Sequence, residues 1–174
     1  MLSEIKSYIE SGEGITVEFN ECKDACPKST FETVCSFLNR NGGNLLLGVN
    51  DLGKITGVNK EAVEQVKKDF LTAINNPQII TPPVYLTMDE YMLDGKIVLH
   101  VYIPESSQVY RCNGQIFDRN GDGEFEITDN TDLVVSLYIK KQRTFTENEI
   151  FPFATIDDHK KEIIDRVRIM ASNR

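Results

Sequence analysis

Three acids, Glu13, Glu18 and Asp51, stand where folding could gather them. Glu18 lies in the short apolar-acidic run 16–19, Asp51 follows the apolar run 44–49, and Glu13 is on the approach to the first run. If the runs are neighbouring strands, Glu18 and Asp51 sit at adjacent strand ends, with Glu13 on the entering loop. Oxygen ligands of that kind suit a hard divalent cation, Mg²⁺ or Mn²⁺, which could activate water against a phosphodiester. The same residues have a plainer reading: Glu18 is a strand-end surface acid and Asp51 a turn former.

A second constellation is cationic. Arg40 stands where a helix meets the pair Gly42-Gly43, and could reach a phosphate together with loop N–H groups. Lys23, Lys28, Arg111 and Arg119 fall in loops or hairpins that could frame a groove. For any one of them taken singly, a solvated surface charge is the better account of its presence. The glycine pair lacks the Lys-Ser/Thr of a phosphate loop, so ATP binding by this chain is not expected.

A third candidate is the stretch 118–129, which fits much of a calcium-binding loop. Asp118, Asn120 and Asp122 take its first, third and fifth positions, Gly123 the sixth, and Glu124 follows. Such a loop would take Ca²⁺. Asp129 stands at the twelfth position in place of Glu, and the preceding residues read as a hairpin rather than an entering helix. An acidic loop ahead of a helix accounts for the same residues. Cys22, Cys26, Cys35 and Cys112 are unevenly spaced, and only His100 and His159 could join them on a metal. They read as reduced packing thiols, in a cytoplasmic protein.

The elements that must position these residues are legible from periodicity. A helix over 2–11 ends at Gly12, and 16–19 is a strand. A helix follows Pro27, with Ser29 and Glu32 as a capping box and Phe31, Val34, Cys35 and Leu38 as its apolar stripe. Gly42 and Gly43 stop it, because glycine enters left-handed backbone without steric cost. Residues 44–49 then form a strand buried on both faces. A turn at 51–54 leads into a strand over 54–58, and a helix over 60–75 stops at Pro77. A strand over 84–93 turns at Asp94-Gly95 into 96–103, and a second hairpin turns at Asn113-Gly114. An acidic loop, a helix over 131–141, an extended connector over 142–154 and a helix from 155 complete the chain. This is an α/β (α+β) pattern, a mixed β-sheet flanked by helices.

The chain of 174 residues with 40% apolar content suffices for one packed domain, and no run is apolar enough to span a membrane. The net charge of −8 argues against a uniformly basic nucleic-acid binder. Residues 140–174 carry a balance of +2, so an anionic partner must meet a local patch.

Taken in order, Glu13…Val17-Glu18-Phe19, then Phe37-Leu38-Asn39-Arg40-Asn41-Gly42-Gly43, then Leu47-Gly48-Val49-Asn50-Asp51-Leu52-Gly53 resemble the Schlafen AlbA-like domain. That family runs through a Glu-Phe-Lys strand, an Asn-x-x-Gly-Gly helix end and a Gly-Val-x-Asp-x-Gly turn. Ile103-Pro104-Glu105-Ser106 and Phe117-Asp118-Arg119 resemble its later Pro-x-Ser and Tyr-x-Arg segments, so the likeness spans about residues 10–143. It implies a domain over 1–143, with 144–174 a connector and helix leading into a further domain. It also implies binding of DNA or RNA as part of a bacterial transcriptional regulator. In eukaryotic Schlafens, acids matching Glu13, Glu18 and Asp51 form a ribonuclease site, which makes a divalent-metal endoribonuclease the alternative. Asn20 stands where the family has Lys. A protein-interaction or dimerisation domain is the third reading. Because those Schlafens pair two lobes, a homodimer is expected.

Overall fold

The computed structural model describes residues 2–147, with side chains to residue 142. The connector beyond 147 and the helix expected from 155 lie outside the described residues.

The sheet is built on β2 (Gly43–Leu47), which lies between β1 (Val17–Asn20) and β5 (Lys96–Ile103), with β4 (Asp89–Leu93) at the far edge. β1 and β2 run parallel, in the register Glu18↔Leu45, and the other pairs are antiparallel. The sheet is therefore mixed, as the sequence predicts. Side chains alternate across it. Leu45, Leu47, Leu99, Val101 and Ile103 enter the main core with α2 (Ser29–Asn39) and α3 (Val63–Ile74). Leu46, Val98, Val17 and Phe19 pack on the other face against Ile5 of α1 (Leu2–Ser11). Both faces are covered, which is why β2 has so little polar character.

Several local expectations differ in detail. Ser29 is already the first helical residue of α2, too late in the helix to cap it. Lys28 takes the N-cap with no side-chain hydrogen bond, and the carbonyls of Pro27 and Lys28 accept from Thr30 and Phe31 N–H at 3.2 Å each. Gly42 does adopt left-handed backbone (φ +72°), and its N–H donates to Phe37 O at 2.9 Å. Gly43 is glycine for another reason. It opens β2 so close to α2 that a Cβ would lie 2.2 Å from the Phe37 ring.

The strand expected over 54–58 is reduced to single bridges, Val49↔Ile55 and Val58↔Ile97. Thr56 and Gly57 both donate to Gly48 O, curling the segment. The strand expected over 84–93 begins only at Asp89, while β3 is the pair Ile80–Thr81. Pro82 and Pro83 between them lack ladder donors. Both tight turns form as predicted: Asp94 and Gly95 at φ 50° and 74°, Asn113 and Gly114 at 49° and 84°.

The largest revision lies after Asn113-Gly114. β6 (Arg111–Cys112) pairs with β3, and the expected acidic loop is a hairpin of β7 (Phe117–Asn120) with β8 (Gly123–Glu126). This hairpin packs over the side of α2 away from the sheet, so Thr30, Thr33, Ser36 and Asn39 are buried as well as the apolar stripe. α4 (Thr131–Glu147) follows, running past the expected end at 141 because no Gly or Pro interrupts it. It seats Leu137 on Ile116 and Ile127. Among the described residues, no helix is long and apolar enough to cross a membrane.

Candidate functional site

The β7–β8 hairpin brings Arg119 onto α2 and the edge strand β1. Phe117 and Arg119 alternate with Asp118, so both turn inward. Arg119 is fully buried, with its guanidinium carbon 3.9 Å from the Phe37 ring centroid. Its Nη2 donates to Glu18 Oε2 at 2.8 Å and to Gly14 O at 2.8 Å, while Nη1 reaches Ser36 Oγ at 3.5 Å. Nε is buried without a hydrogen-bond partner. The aromatic face and the carboxylate together offset the removal of this cation from water.

Glu18 pays for the position in protonation. Burial pushes its carboxyl up to about 7, against the hydrogen bond from Arg119, and Glu124 and Glu13 add to the rise. Glu13 accepts Phe19 N–H at 2.9 Å and is also raised, first by burial and then by Asp51 and Glu124. Across the hairpin register from Arg119, Glu124 accepts Thr33 Oγ1 at 3.1 Å.

Asn39 ties the other end of the hairpin to α2. Its Nδ2 donates to Tyr110 O at 3.0 Å and Phe117 O at 2.8 Å, and its Oδ1 accepts Tyr110 N–H at 2.7 Å. One residue on, Arg40 pairs with Asp118 at 3.3 Å. Lysines of α4 complete this corner. Lys141 Nζ donates to Leu38 O at 3.0 Å and Lys140 Nζ to Arg40 O at 3.1 Å. Cations there suit the unpaired carbonyls and the negative end of the α2 dipole. Glu105 accepts from Lys141 at 3.2 Å, and burial holds the Lys141 ammonium below its usual range.

Asp51 is exposed on a turn built by Asn50, whose Oδ1 accepts Leu52 and Lys54 N–H at 3.1 and 2.9 Å. This turn and the β1–α2 loop border an open cleft of about 460 Å³ at the carboxyl ends of the parallel pair, lined by Asn20, Glu21, Pro27 and Asp51 among others. Lys23 and Lys28 are exposed on the same loop.

The residues named from sequence thus fall into different roles. Glu13, Glu18 and Asp51 share one side of the molecule, near enough for Asp51 to act on Glu13. As arranged they do not fit a Mg²⁺ or Mn²⁺ ion: Arg119 holds Glu18, Phe19 N–H holds Glu13, and among the described residues no three His, Cys, Asp or Glu are placed to bind a metal. The calcium reading of Asp118, Asn120, Asp122 and Glu124 gives way to the hairpin. Alternation puts Asp118 and Asn120 on the face opposite Arg119 and Glu124, and Asn120 Oδ1 accepts Asp122 N–H at 2.8 Å. Of the five cations, Arg119 is buried, Arg40 is paired, and Arg111 donates to Gly114 O at 3.1 Å. Of the five, Lys23 and Lys28 alone are exposed side chains on a loop beside the cleft. Asn39, Lys140 and Lys141 were not singled out by sequence. The alternation Phe117/Arg119 and the Thr-Thr-Ser-Asn face of α2 were the available signals.

A mixed sheet with α1 on one face, α2 and α3 on the other, and a hairpin clamped to α2 by a buried arginine defines an AlbA-like α/β domain. The Schlafen, AlbA_2 family model matches residues 13–128, and the chain belongs to this family. No curated protein sequence matches it. Among solved structures, it is similar to the N-terminal domain of a RecG-related protein from Nitrosomonas europaea, with 26% identity and a TM-score of 0.45, over 57% of this chain and 71% of that one. It is also similar to the DIP2311 protein from Corynebacterium diphtheriae, with 16% identity and a TM-score of 0.60, over 96% of this chain and 37% of that one. The second likeness extends the fold alone.

Proposed function

We propose that this domain binds nucleic acid through the mouth of the β1–β2 pair, holding the phosphate backbone with Lys23 and Lys28, as the DNA- or RNA-contacting part of a transcriptional regulator. Membership of the Schlafen AlbA_2 family, a nucleic-acid-related domain, supports the general class. The observation that carries the finer reading is the division of cations. Arg40, Arg111, Arg119 and Lys141 are spent on internal contacts, whereas Lys23 and Lys28 remain exposed on one loop beside an open cleft. Glu21 and Asp51 in the cleft repel phosphate, so the backbone is kept to the lysine side. Binding is then electrostatic and salt-dependent.

The test is a binding isotherm of the full chain with a duplex DNA and a structured RNA over a salt series, without and with Mn²⁺. Affinity that falls with salt and intact ligand after Mn²⁺ are the expected results. No affinity at low salt removes the reading. Mn²⁺-dependent cleavage that Asp51→Asn abolishes replaces it with the endoribonuclease.

A further inference from the structure

The β1–α2 loop also holds two thiols that neither the packing nor the proposed binding requires to be neighbours. Cys22 Sγ and Cys26 Sγ are 3.7 Å apart. Cys22 is fully buried in the main core, while Cys26 is half-buried at its margin. Cys35 and Cys112 are fully buried, and Cys35 donates its S–H to Tyr110 O at 3.3 Å. The loop between β1 and α2 has no helix or strand of its own around residues 21–27. Its midpoint is tied by Asn59, which donates its N–H to Lys23 O at 2.8 Å and its Nδ2 to Asp24 Oδ1 at 2.7 Å. Lys23 stands between the two cysteines.

We propose that Cys22 and Cys26 form a redox pair, closing to a disulfide under peroxide and thereby resetting the loop that presents Lys23. The half-exposed Cys26 meets the oxidant. Its sulfur attacks a peroxide oxygen, the O–O bond breaks, and the departing hydroxide takes the thiol proton and leaves as water, with Cys26 as the sulfenic acid. Cys22 Sγ attacks that sulfur, the S–O bond breaks, and the second hydroxide leaves as water with the Cys22 proton. Two thiols lose one electron each, and one peroxide gains two. The sulfurs need only close from 3.7 Å to the roughly 2.05 Å of a disulfide. The hydrogen bond that Cys26 donates lowers the Cys22 thiol and raises that of Cys26, so Cys22 is the readier thiolate for the resolving step, and Cys26 reacts first by its access to solvent alone.

The pairing stands on geometry alone, while its effect on ligand binding rests on the nucleic-acid reading above, and two measurements separate them. Full-length protein is treated with stoichiometric hydrogen peroxide, blocked with an alkylating agent and digested with trypsin. Cleavage after Lys23 leaves peptides 7–23 and 24–28 joined only if the bridge exists. The linked pair is expected, reversed by dithiothreitol and absent in Cys26→Ser, with Cys35 and Cys112 alkylated only after unfolding. Unlinked peptides after treatment overturn the pair, whatever the protein binds. For the consequence, the oxidised protein is expected to bind a structured RNA or a duplex roughly threefold more weakly than the reduced one, the scale of one phosphate contact. Linked peptides with unchanged affinity overturn the resetting of Lys23. If reduced protein binds neither ligand, the functional reading fails and the peptide map still decides the pair.

Discussion

Arg119 donates to Glu18 at 2.8 Å across 101 residues of sequence, and the arginine has no exposure while the glutamate keeps some. The pair joins the first strand of the sheet to a hairpin that packs chiefly on α2. Two residues that resemble a family signature are thus each other's partner before they are anything's ligand.

Removing one member strands the other. Arg119→Met should cost about 3 kcal/mol in urea unfolding, since it leaves Gly14 O and the part-buried Glu18 carboxyl without their donor, and that carboxyl, already raised to about 7, must take up a proton. Glu18→Leu combined with Arg119→Met should cost less than Arg119→Met alone, because a matched apolar pair needs no counter-charge. A double variant as unstable as the sum of the singles would show that the two act independently.

Asn39 is a comparable device at the other end of the hairpin. Asn39→Ala leaves Tyr110 N–H without its acceptor, takes the amide donor from Phe117 O and leaves Tyr110 O only the weak Cys35 S–H, and should cost about 2–3 kcal/mol by the same measurement. An effect below 1 kcal/mol would mean that water replaces the amide easily.

Two buried groups give opposite pH dependences. Glu18, raised from 4.5 to about 7, binds a proton more readily in the fold, so its contribution is complete below 4.5 and is lost as pH rises through about 7. His100 is lowered from 6.5, first by burial, so its contribution is complete above 6.5 and is lost as pH falls. Its Nε2 meets Asn44 Oδ1 at 2.9 Å, and Nδ1 is buried without a partner. Relative to wild type, Glu18→Gln should lose stability more steeply between pH 7 and 5, and His100→Gln less steeply. Chemical unfolding at a series of pH values checks both slopes, and parallel curves would contradict them.

Gly43 and Gly95 should respond differently to alanine. A Cβ at Gly43 meets the Phe37 ring at 2.2 Å, and Gly43→Ala should cost about 3 kcal/mol as the helix is pushed off the strand. At Gly95 nothing lies within 4 Å, and only the left-handed backbone at φ +74° resists, a cost of about 1 kcal/mol. Thermal melts of the two variants give the comparison.

What could be read from the sequence follows from what is local. The apolar stripes of α2 and α3, the doubly buried β2 and the Asp94-Gly95 turn need only neighbouring residues to declare themselves, and each formed. Arg119 reads as a groove-framing cation in the sequence because its partners are far away in the chain, and charge at a hairpin usually faces water. Its alternation with Asp118, in step with Phe117, was the local sign of inward direction. The Thr30, Thr33, Ser36 and Asn39 face declares nothing by itself, because small polar residues serve either environment, and only the hairpin above them decides. Glu13, Glu18 and Asp51 do fall on one side, but spacing along the chain cannot show that a guanidinium and a backbone N–H have already engaged two of them.

The most direct test of the central claim is the salt dependence of nucleic-acid binding for wild type and for the Lys23→Ala/Lys28→Ala variant, whose substitutions lie on an exposed loop. If exposed lysines make the contacts and the internal cations hold the frame, the slope of log affinity against log salt should become shallower by about 2 for duplex DNA, with the unfolding midpoint unchanged. An unchanged slope, with affinity retained, would place the contacts elsewhere and contradict this division of roles.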